Sequence, residues 1–276
     1  MEKPTIAIIG PGRAGSALGR ALHRAGYRIA AVGGRNPENV DSLAKELGAP
    51  AVRSVVSAVE RADLAILAVP DDVIGPLATE ISRSLSPTPG RATVHLSGAQ
   101  DRSPLEPLAA IGLRTGVFHP LQTFRRGADA ADNVPGSYIG IDADPGLHGL
   151  LTAMADAVLG HPFDLAGVDR ALYHAAAVLA ANYPVMLVAE ASELARQAGL
   201  DEETARRGMA TLLGGAVANL RNTSPDEALT GPAARGDLGT IARHLEALNN
   251  DPQLQKIYRL LAERVRRLAK KNREAA

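Results

Sequence analysis

A few polar side chains stand where they can do chemistry. His119 opens the segment HPLQTF directly after a predicted strand, and Gln122 lies three residues further on. His174 and Asn182 interrupt the apolar stretch 171–191, eight residues apart and therefore on one broad side of a helix. Because imidazole exchanges a proton near neutral pH, both histidines are candidate proton donors. We prefer His174, since Asn182 can orient a ligand beside it.

Two further positions can contact a small ligand. Ser97 ends a predicted strand within HLSGAQ, where its hydroxyl can hydrogen-bond the oxygen of a substrate or lie beside a cofactor. Gln122 and His119 are expected to bind the same substrate. Arg235, in LTGPAARGD, can hold a carboxylate with its guanidinium fork. The alternative for Arg235 is a salt bridge with Asp237 at the start of a helix.

Three glycines form a G-x-G-x-x-G motif between a predicted strand, TIAII, and a predicted helix. In such a motif the first glycine permits a tight turn and the second admits a pyrophosphate close to the backbone. The third lets the helix pack on the strand. The free N–H groups at the helix start favour an anion. The predicted contacts in this turn are Gly10, Pro11, Gly12, Arg13, Ala14 and Gly15.

The segment AAVGGRN, which ends the second predicted strand, indicates which dinucleotide binds. NAD-binding proteins carry an acidic residue there to bind the adenosine ribose, whereas this chain has Gly33 and Gly34. Arg35 offers a guanidinium suited to a phosphate, and Asn36 adds a donor. The sequence therefore predicts NADP as cofactor. Further cofactor contacts are predicted at the end of a third strand, in LAVPDD, and at the serine named above: Gly34, Ala68, Val69, Pro70 and Ser97.

Apolar runs and helical patterns alternate in the first part of the chain, as in a doubly wound parallel sheet. The predicted strands are 5–9, 28–32, 64–69, 92–96, 114–118 and 138–142, with 161–165 as a further short strand. The helices expected between them are 14–25, 37–47, 71–85, 104–111 and 146–159.

Only helices are predicted in the second part: 168–198, 201–220, 225–229, 237–248 and 251–272. We expect Pro184 to kink or break the first of these near 180–184. The predicted domains are a Rossmann dinucleotide-binding domain, 1–165, and a helical substrate and dimerisation domain, 166–276.

Composition excludes several classes of function. The 276 residues have zero formal net charge, which argues against a nucleic-acid partner, and they contain no cysteine. No metal site is predicted, because no histidine–acid spacing resembles one. The stretch 171–191 is apolar, but its polar residues and many alanines favour a buried helix over a membrane span. A cytoplasmic protein without a membrane or nucleic-acid partner is expected.

The segments GPGRAG, VGGRN, LAVPDD, HPLQTF, YHAAAVLAANY and TGPAARGD together resemble a bacterial family of Rossmann-like NADP oxidoreductases. In that family a helical domain of unknown function follows the Rossmann domain. The layout is also similar, more distantly, to ketopantoate reductase, pyrroline-carboxylate reductase and the 6-phosphogluconate dehydrogenase superfamily. The resemblance implies hydride transfer from NADPH at a cleft between the halves, and a homodimer formed through the helical domain.

The resemblance implies an NADP-dependent reductase of a small 2-oxo acid or related carbonyl, such as ketopantoate. Two alternatives stay open: a cyclic-imine reductase and a non-catalytic NADP(H) sensor. The chain departs from ketopantoate reductase at one position. If Asn182 matches the asparagine of that enzyme, the lysine four residues before it is replaced by Val178. A histidine is therefore expected to supply the proton.

Overall fold

The computed structural model describes residues 3–86, 90–125 and 127–275. Its N-terminal part is built on one eight-stranded sheet with the order β3-β2-β1-β4-β5-β6-β7-β8. The strands are β1 (Ile6–Ile9), β2 (Ile29–Gly33), β3 (Ala51–Val52), β4 (Leu64–Leu67), β5 (Ala92–His95), β6 (Arg114–Leu121), β7 (Tyr138–Ala143) and β8 (His161–Asp164).

Strands β1 to β6 are parallel, whereas β7 runs antiparallel to β6 and β8 runs parallel to β7. The helices of this part are α1 (Arg13–Arg24), α2 (Pro37–Leu47), α3 (Val55–Glu60), α4 (Asp71–Ser84), α5 (Glu106–Ala109) and α6 (Pro145–Ala157). The chain reverses after β6 because a parallel crossover needs a helix on the sheet. The described residues between β6 and β7 form only a 3₁₀ helix, Ala128–Asn133.

Alternate residues of each central strand feed two separate cores. In β1, Ile6 and Ile8 pack on one face with Leu18 of α1, while Ala7 and Ile9 pack on the other with the helices after β3 and β4. All four β1 residues are buried. A strand buried on both faces between helices is typical of a doubly wound sheet, and that predicted fold class is confirmed.

The remaining chain is helical: α7 (Arg170–Gln197), α8 (Glu202–Leu220), α9 (Pro225–Ala228), α10 (Gly231–Arg235), α11 (Leu238–Ala247) and α12 (Pro252–Ala275). The contacts between residues divide the whole chain into two compact units, Met1–Asn182 and Tyr183–Ala276. The sheet ends at Asp164, and the division between the units lies inside α7.

The structure corrects three details of the sequence-based prediction. Helix α7 continues through Pro184, so the helix does not break there, and a kink at this position stays a prediction; a proline removes one backbone donor, and the rest of the long helix keeps its hydrogen bonds. Strand β3 and helix α3 were not predicted, because both are too short to show a period. Helix α10 lies within a segment predicted to be a connection.

The apolar face of α7 is exposed in the single chain. Leu172, Leu179 and Met186, which share one side of the helix, are 71%, 63% and 39% exposed, so the burial expected for this helix is not supplied by the described part of the same chain. By length and composition alone α7 is also able to cross a membrane, with a mean hydropathy of 1.4. One such helix is weak support for a membrane span, and its exposed side chains need another explanation.

Candidate functional site

The glycine motif forms a turn that only glycine fits at two positions. Gly10 has a φ of 93°, and a Cβ there would lie 2.5 Å from the carbonyl oxygen of Ala68. A Cβ on Gly15 would lie 2.3 Å from the carbonyl oxygen of Gly10. Both glycines therefore bring α1 against the ends of β1 and β4. A Cβ on Gly12, in contrast, meets no atom within 4 Å, so the space before the helix is open to a ligand.

A cavity of about 630 Å³ begins at this turn and continues past the end of β2. Nine of the predicted cofactor contacts line it: Gly10, Pro11, Gly12, Gly34, Arg35, Asn36, Ala68, Val69 and Pro70. A smaller cavity of about 200 Å³ beside Gly12 is lined by Arg13, another predicted contact. Ala14, Gly15 and Ser97 line neither cavity. The turn, the open space before α1 and the adjoining cavity suit the pyrophosphate and adenosine of a dinucleotide.

The residues after β2 present donors to this cavity. Arg35 is exposed, and the Oδ1 atom of Asn36 accepts the N–H of Asn39 at 3.0 Å, which caps α2. The amide nitrogen of Asn36 is therefore the part of that side chain left for a ligand. The sequence did not single out Asn39 or Arg53, which also line the cavity. Arg53 directly follows the unpredicted strand β3.

At the end of β5, the hydrogen bonds of His95 and Ser97 define the roles of both side chains. The ring of His95 is fully buried, with Nε2 at 2.7 Å from the carbonyl oxygen of Asp101, and its Nδ1 accepts the N–H of Ser97. The hydroxyl oxygen of Ser97 accepts the N–H groups of Ala99 and Gln100, each at 3.1 Å. His95 and Ser97 therefore shape the loop after β5, and Ser97 keeps one hydrogen to donate.

His119 presents an unpartnered nitrogen. Its Nδ1 lies 2.8 Å from the carbonyl oxygen of Leu96, so Nδ1 carries the hydrogen of the neutral ring. Its Nε2 is buried and has no hydrogen-bond partner among the described residues. A Cβ on Gly98 would come within 2.7 Å of Nε2, so only glycine there leaves room for the ring. Burial lowers the pKa of His119, which makes Nε2 a hydrogen-bond acceptor at neutral pH.

Tyr173, one residue before His174, carries a second unpartnered group. Its hydroxyl is buried without a partner in the described structure, and its ring lies edge-on to that of His119 with centroids 5.7 Å apart. Burial raises the pKa of Tyr173, so its hydroxyl stays protonated. Tyr173 was not among the site residues predicted from the sequence. Its one signal there was a polar hydroxyl on an apolar helix.

The other predicted site residues are less constrained. His174 and Asn182 are exposed, although the charge of His174 contributes to the lowered pKa of His119 and so lies near it. Gln122 is exposed, and its Oε1 accepts the N–H of Thr123. Arg235 is exposed and belongs to the second unit. The structure places His174 near His119, and the roles of all four residues stay predictions.

We expect acidification to destabilise the protein through His95 and His119. Burial lowers the pKa of both, so below the ordinary pKa of histidine, about 6.5, the unfolded chain binds more protons than the folded one. Stability is therefore fully present above that pH and falls below it, by at most about 1.4 kcal/mol per pH unit for each ring. Urea unfolding at several pH values measures this.

The variant His119→Gln keeps a donor for Leu96 and should reduce the slope, whereas His23→Gln, at an exposed ring, should not. An unchanged slope in His119→Gln would contradict the pKa assignment.

Two family models match the chain. Residues 5–89 match the family described as NADP oxidoreductase, coenzyme F420-dependent, and residues 137–265 match a domain of unknown function, DUF2520. The search of curated proteins found no match.

Solved structures share the fold over nearly the whole chain. A proposed NADP oxidoreductase from Bacteroides fragilis is 27% identical with a TM-score of 0.81, covering 96% of this chain and 98% of its own. Protein TM1727 from Thermotoga maritima is 22% identical with a TM-score of 0.73, covering 98% and 100%. A pyrroline-5-carboxylate reductase from Coxiella burnetii is 22% identical with a TM-score of 0.62, covering 98% of each chain. The last two matches establish the fold alone.

The cavity at the glycine turn lies within the region that matches the NADP oxidoreductase family, residues 5–89. The predictions of an NADP cofactor and of an oxidoreductase are confirmed by the match of residues 5–89. The chain thus joins a region similar to NADP oxidoreductases, residues 5–89, to a region similar to DUF2520, residues 137–265.

Proposed function

We propose that this protein is an NADPH-dependent reductase of a small carbonyl compound of the 2-oxo acid type. The observation that carries the proposal is the pair of buried, unpartnered groups on His119 and Tyr173. Leu67, His95 and Val117 are in register across β4, β5 and β6. Because β4 and β5 end at this level and β6 continues to Leu121, His119 in β6 lies beyond the ends of those two strands, where ligands of doubly wound sheets bind. The strand β4 leads directly to Ala68, which lines the cofactor cavity.

Reduction of a carbonyl places negative charge on its oxygen, which needs a hydrogen-bond donor and then a proton. Bound NADPH supplies the hydride. The hydroxyl of Tyr173 donates a hydrogen bond to the substrate oxygen and then transfers its proton to that oxygen. The tyrosine afterwards takes up a new proton from water. The Nε2 atom of His119 accepts the hydrogen of the resulting alcohol. A hydroxyl group in the product would therefore satisfy both unpartnered atoms at once.

The sequence-based assignment of the proton to His174 stays a prediction, as do the roles of Asn182 in orienting the substrate and of Arg235 in holding its carboxylate. The burial of the Tyr173 hydroxyl favours Tyr173 over the exposed His174. A tyrosine also needs no prior protonation to donate, whereas the Nε2 atom of neutral His119 can only accept.

A cyclic imine is the second candidate substrate, and the neutral state of His119 supports it. A protonated imine carries an N–H that Nε2 of His119 can accept, whereas a ketone oxygen offers only lone pairs to that atom. In this case Tyr173 would donate to the amine nitrogen after reduction. The fold is shared with a pyrroline-5-carboxylate reductase, but at 22% identity this likeness does not extend to substrate.

The test is NADPH oxidation, followed by absorbance, on a panel of 2-oxo acids and cyclic imines. We expect turnover with 2-oxo acids. Turnover with cyclic imines alone would identify the protein as an imine reductase instead. Tight NADPH binding without turnover on either class would instead support the sensor alternative and overturn the proposal.

We expect the protein to bind NADPH at least tenfold more tightly than NADH, because Arg35 attracts the 2′-phosphate and a glycine, Gly34, stands directly after β2 in place of a repelling carboxylate. The variant Arg35→Ala should remove most of that difference, which is about 1.4 kcal/mol per factor of ten. Isothermal calorimetry with both cofactors measures it. Equal affinities in the unmodified protein would contradict the preference.

We also propose a cytoplasmic homodimer that covers the exposed face of α7. Sedimentation at micromolar concentration should give twice the chain mass of 28.7 kDa. The variant Leu179→Glu, within that face, should yield monomers, because the dimer would bury the charge of the glutamate against an apolar surface. Leu159→Glu, at a leucine that is 70% exposed outside α7, is the control. A monomeric unmodified protein would refute this proposal.

A further inference from the structure

The shortest strand of the sheet places an arginine beside the cofactor cavity. Strand β3 has two residues, and the pairs Val32–Ala51 and Gly33–Val52 set its register on β2. The residues that follow these pairs are Gly34 on one strand and Arg53 on the other. Parallel strands end at the same edge of a sheet, so Arg53 leaves the sheet next to the segment that carries Arg35.

An ion pair holds Arg53 in this position. Both carboxylate oxygens of Asp41 lie within hydrogen-bond distance of its Nη2, at 3.0 and 2.9 Å. The two side chains are 58% and 54% exposed, so the pair adds little to stability. The pair orients the guanidinium of Arg53. Nη2 is bonded to Asp41, while Nη1 and Nε have no hydrogen bond in the described part of the chain.

Arg35 and Arg53 both line the cavity at the glycine turn. Asn36 and Asn39 also line the cavity and offer amide donors. Glu80 is the one carboxylate in the lining, and the Asp41 carboxylate outside it is already paired with Arg53. A phosphate monoester carries nearly two negative charges at neutral pH and has several acceptor oxygens, so a single guanidinium neutralises only part of it. The geometry at this end of the cavity thus offers a second cation for the same phosphate.

We propose that Arg53, oriented by Asp41, binds the 2′-phosphate of NADP together with Arg35. The inference rests on the proposed function and adds to it a second determinant of cofactor choice, contributed by a different strand. Arg53 has one competing role: its planar guanidinium can stack on the adenine ring. Stacking would stabilise NADPH and NADH equally, because both contain adenine.

The test uses calorimetry on the full-length protein with NADPH, NADH, adenosine 2′,5′-bisphosphate and 5′-AMP. We expect Arg53→Ala to weaken NADPH and the bisphosphate at least fivefold, and to leave NADH and 5′-AMP within about twofold. Arg61→Ala, at an exposed arginine outside the cavity lining, should change none of the four affinities. Thermal unfolding without cofactor should be unchanged, because the Asp41–Arg53 pair is exposed.

Equal weakening of all four ligands would overturn the proposal in favour of adenine stacking, and no weakening would overturn it outright. A failure of the proposed NADPH preference is distinguishable from a failure of the role of Arg53. If the unmodified protein binds NADPH and NADH equally, the cofactor preference itself is wrong. If Arg35→Ala removes the preference and Arg53→Ala leaves it intact, only the role of Arg53 is wrong.

Discussion

Replacement of Tyr173 by phenylalanine is expected to lower kcat about a hundredfold, the usual range for loss of a general acid, with little change in NADPH affinity. Phenylalanine keeps the ring contacts with His119 and Phe163 and removes only the hydroxyl. That hydroxyl is buried without a partner, so its removal should leave stability equal or slightly higher. Steady-state kinetics and thermal unfolding together measure both effects.

A purely structural Tyr173 would give a different result. The activity of Tyr173→Phe would then change no more than that of the control Tyr183→Phe, at an exposed tyrosine of the same helix. If His174→Ala abolishes turnover while Tyr173→Phe does not, the proton donor is His174, as the sequence suggested. If both variants retain full activity, neither side chain supplies the proton, and the mechanism proposed here is wrong.

Alanine at Gly12 is expected to weaken NADPH binding at least tenfold without lowering stability. Its Cβ would meet no protein atom within 4 Å, so the protein itself tolerates it, and only a pyrophosphate before α1 would collide with it. Alanine at Gly15 should instead lower both affinity and stability. There the Cβ lies 2.3 Å from the carbonyl oxygen of Gly10, and the strain should cost about 2 kcal/mol or more.

Calorimetry and urea unfolding separate these effects. Gly149→Ala in α6 is the matched control, because its Cβ also meets no atom within 4 Å and it is remote in sequence from the glycine turn. We expect unchanged affinity for that variant. If Gly12→Ala binds NADPH as tightly as the unmodified protein, the pyrophosphate does not lie before α1.

The sequence predicted the features of the site that depend on neighbouring residues. The glycine turn and the Arg35 segment each lie within a few residues, and their spacing follows from the backbone geometry that a dinucleotide requires. Six of these residues line one cavity, together with Ala68, Val69 and Pro70 after β4. Likewise, the long strands and helices were predicted because each is an apolar run or a helical pattern long enough to be recognised in the sequence.

Features formed by residues distant in sequence were not predicted. His119 and Tyr173 meet across more than fifty residues of chain, and no local pattern reports that contact. Strand β3 was missed because two residues cannot show an alternation, so Arg53 had no predicted position. Helix α7 was expected to be buried because its composition is apolar, but composition alone does not specify which surface covers a helix.

The small size of β3 has a consequence for how cofactor use can change over evolution. Arg35 and Arg53 are exposed at the margin of the sheet, whereas the packing that determines stability lies in the central strands and their helices. Substitutions at this margin leave those cores intact and are expected to have small effects on folding. Descendants of this chain could therefore exchange one dinucleotide for the other through a few viable single substitutions, while selection continued to maintain the same interior.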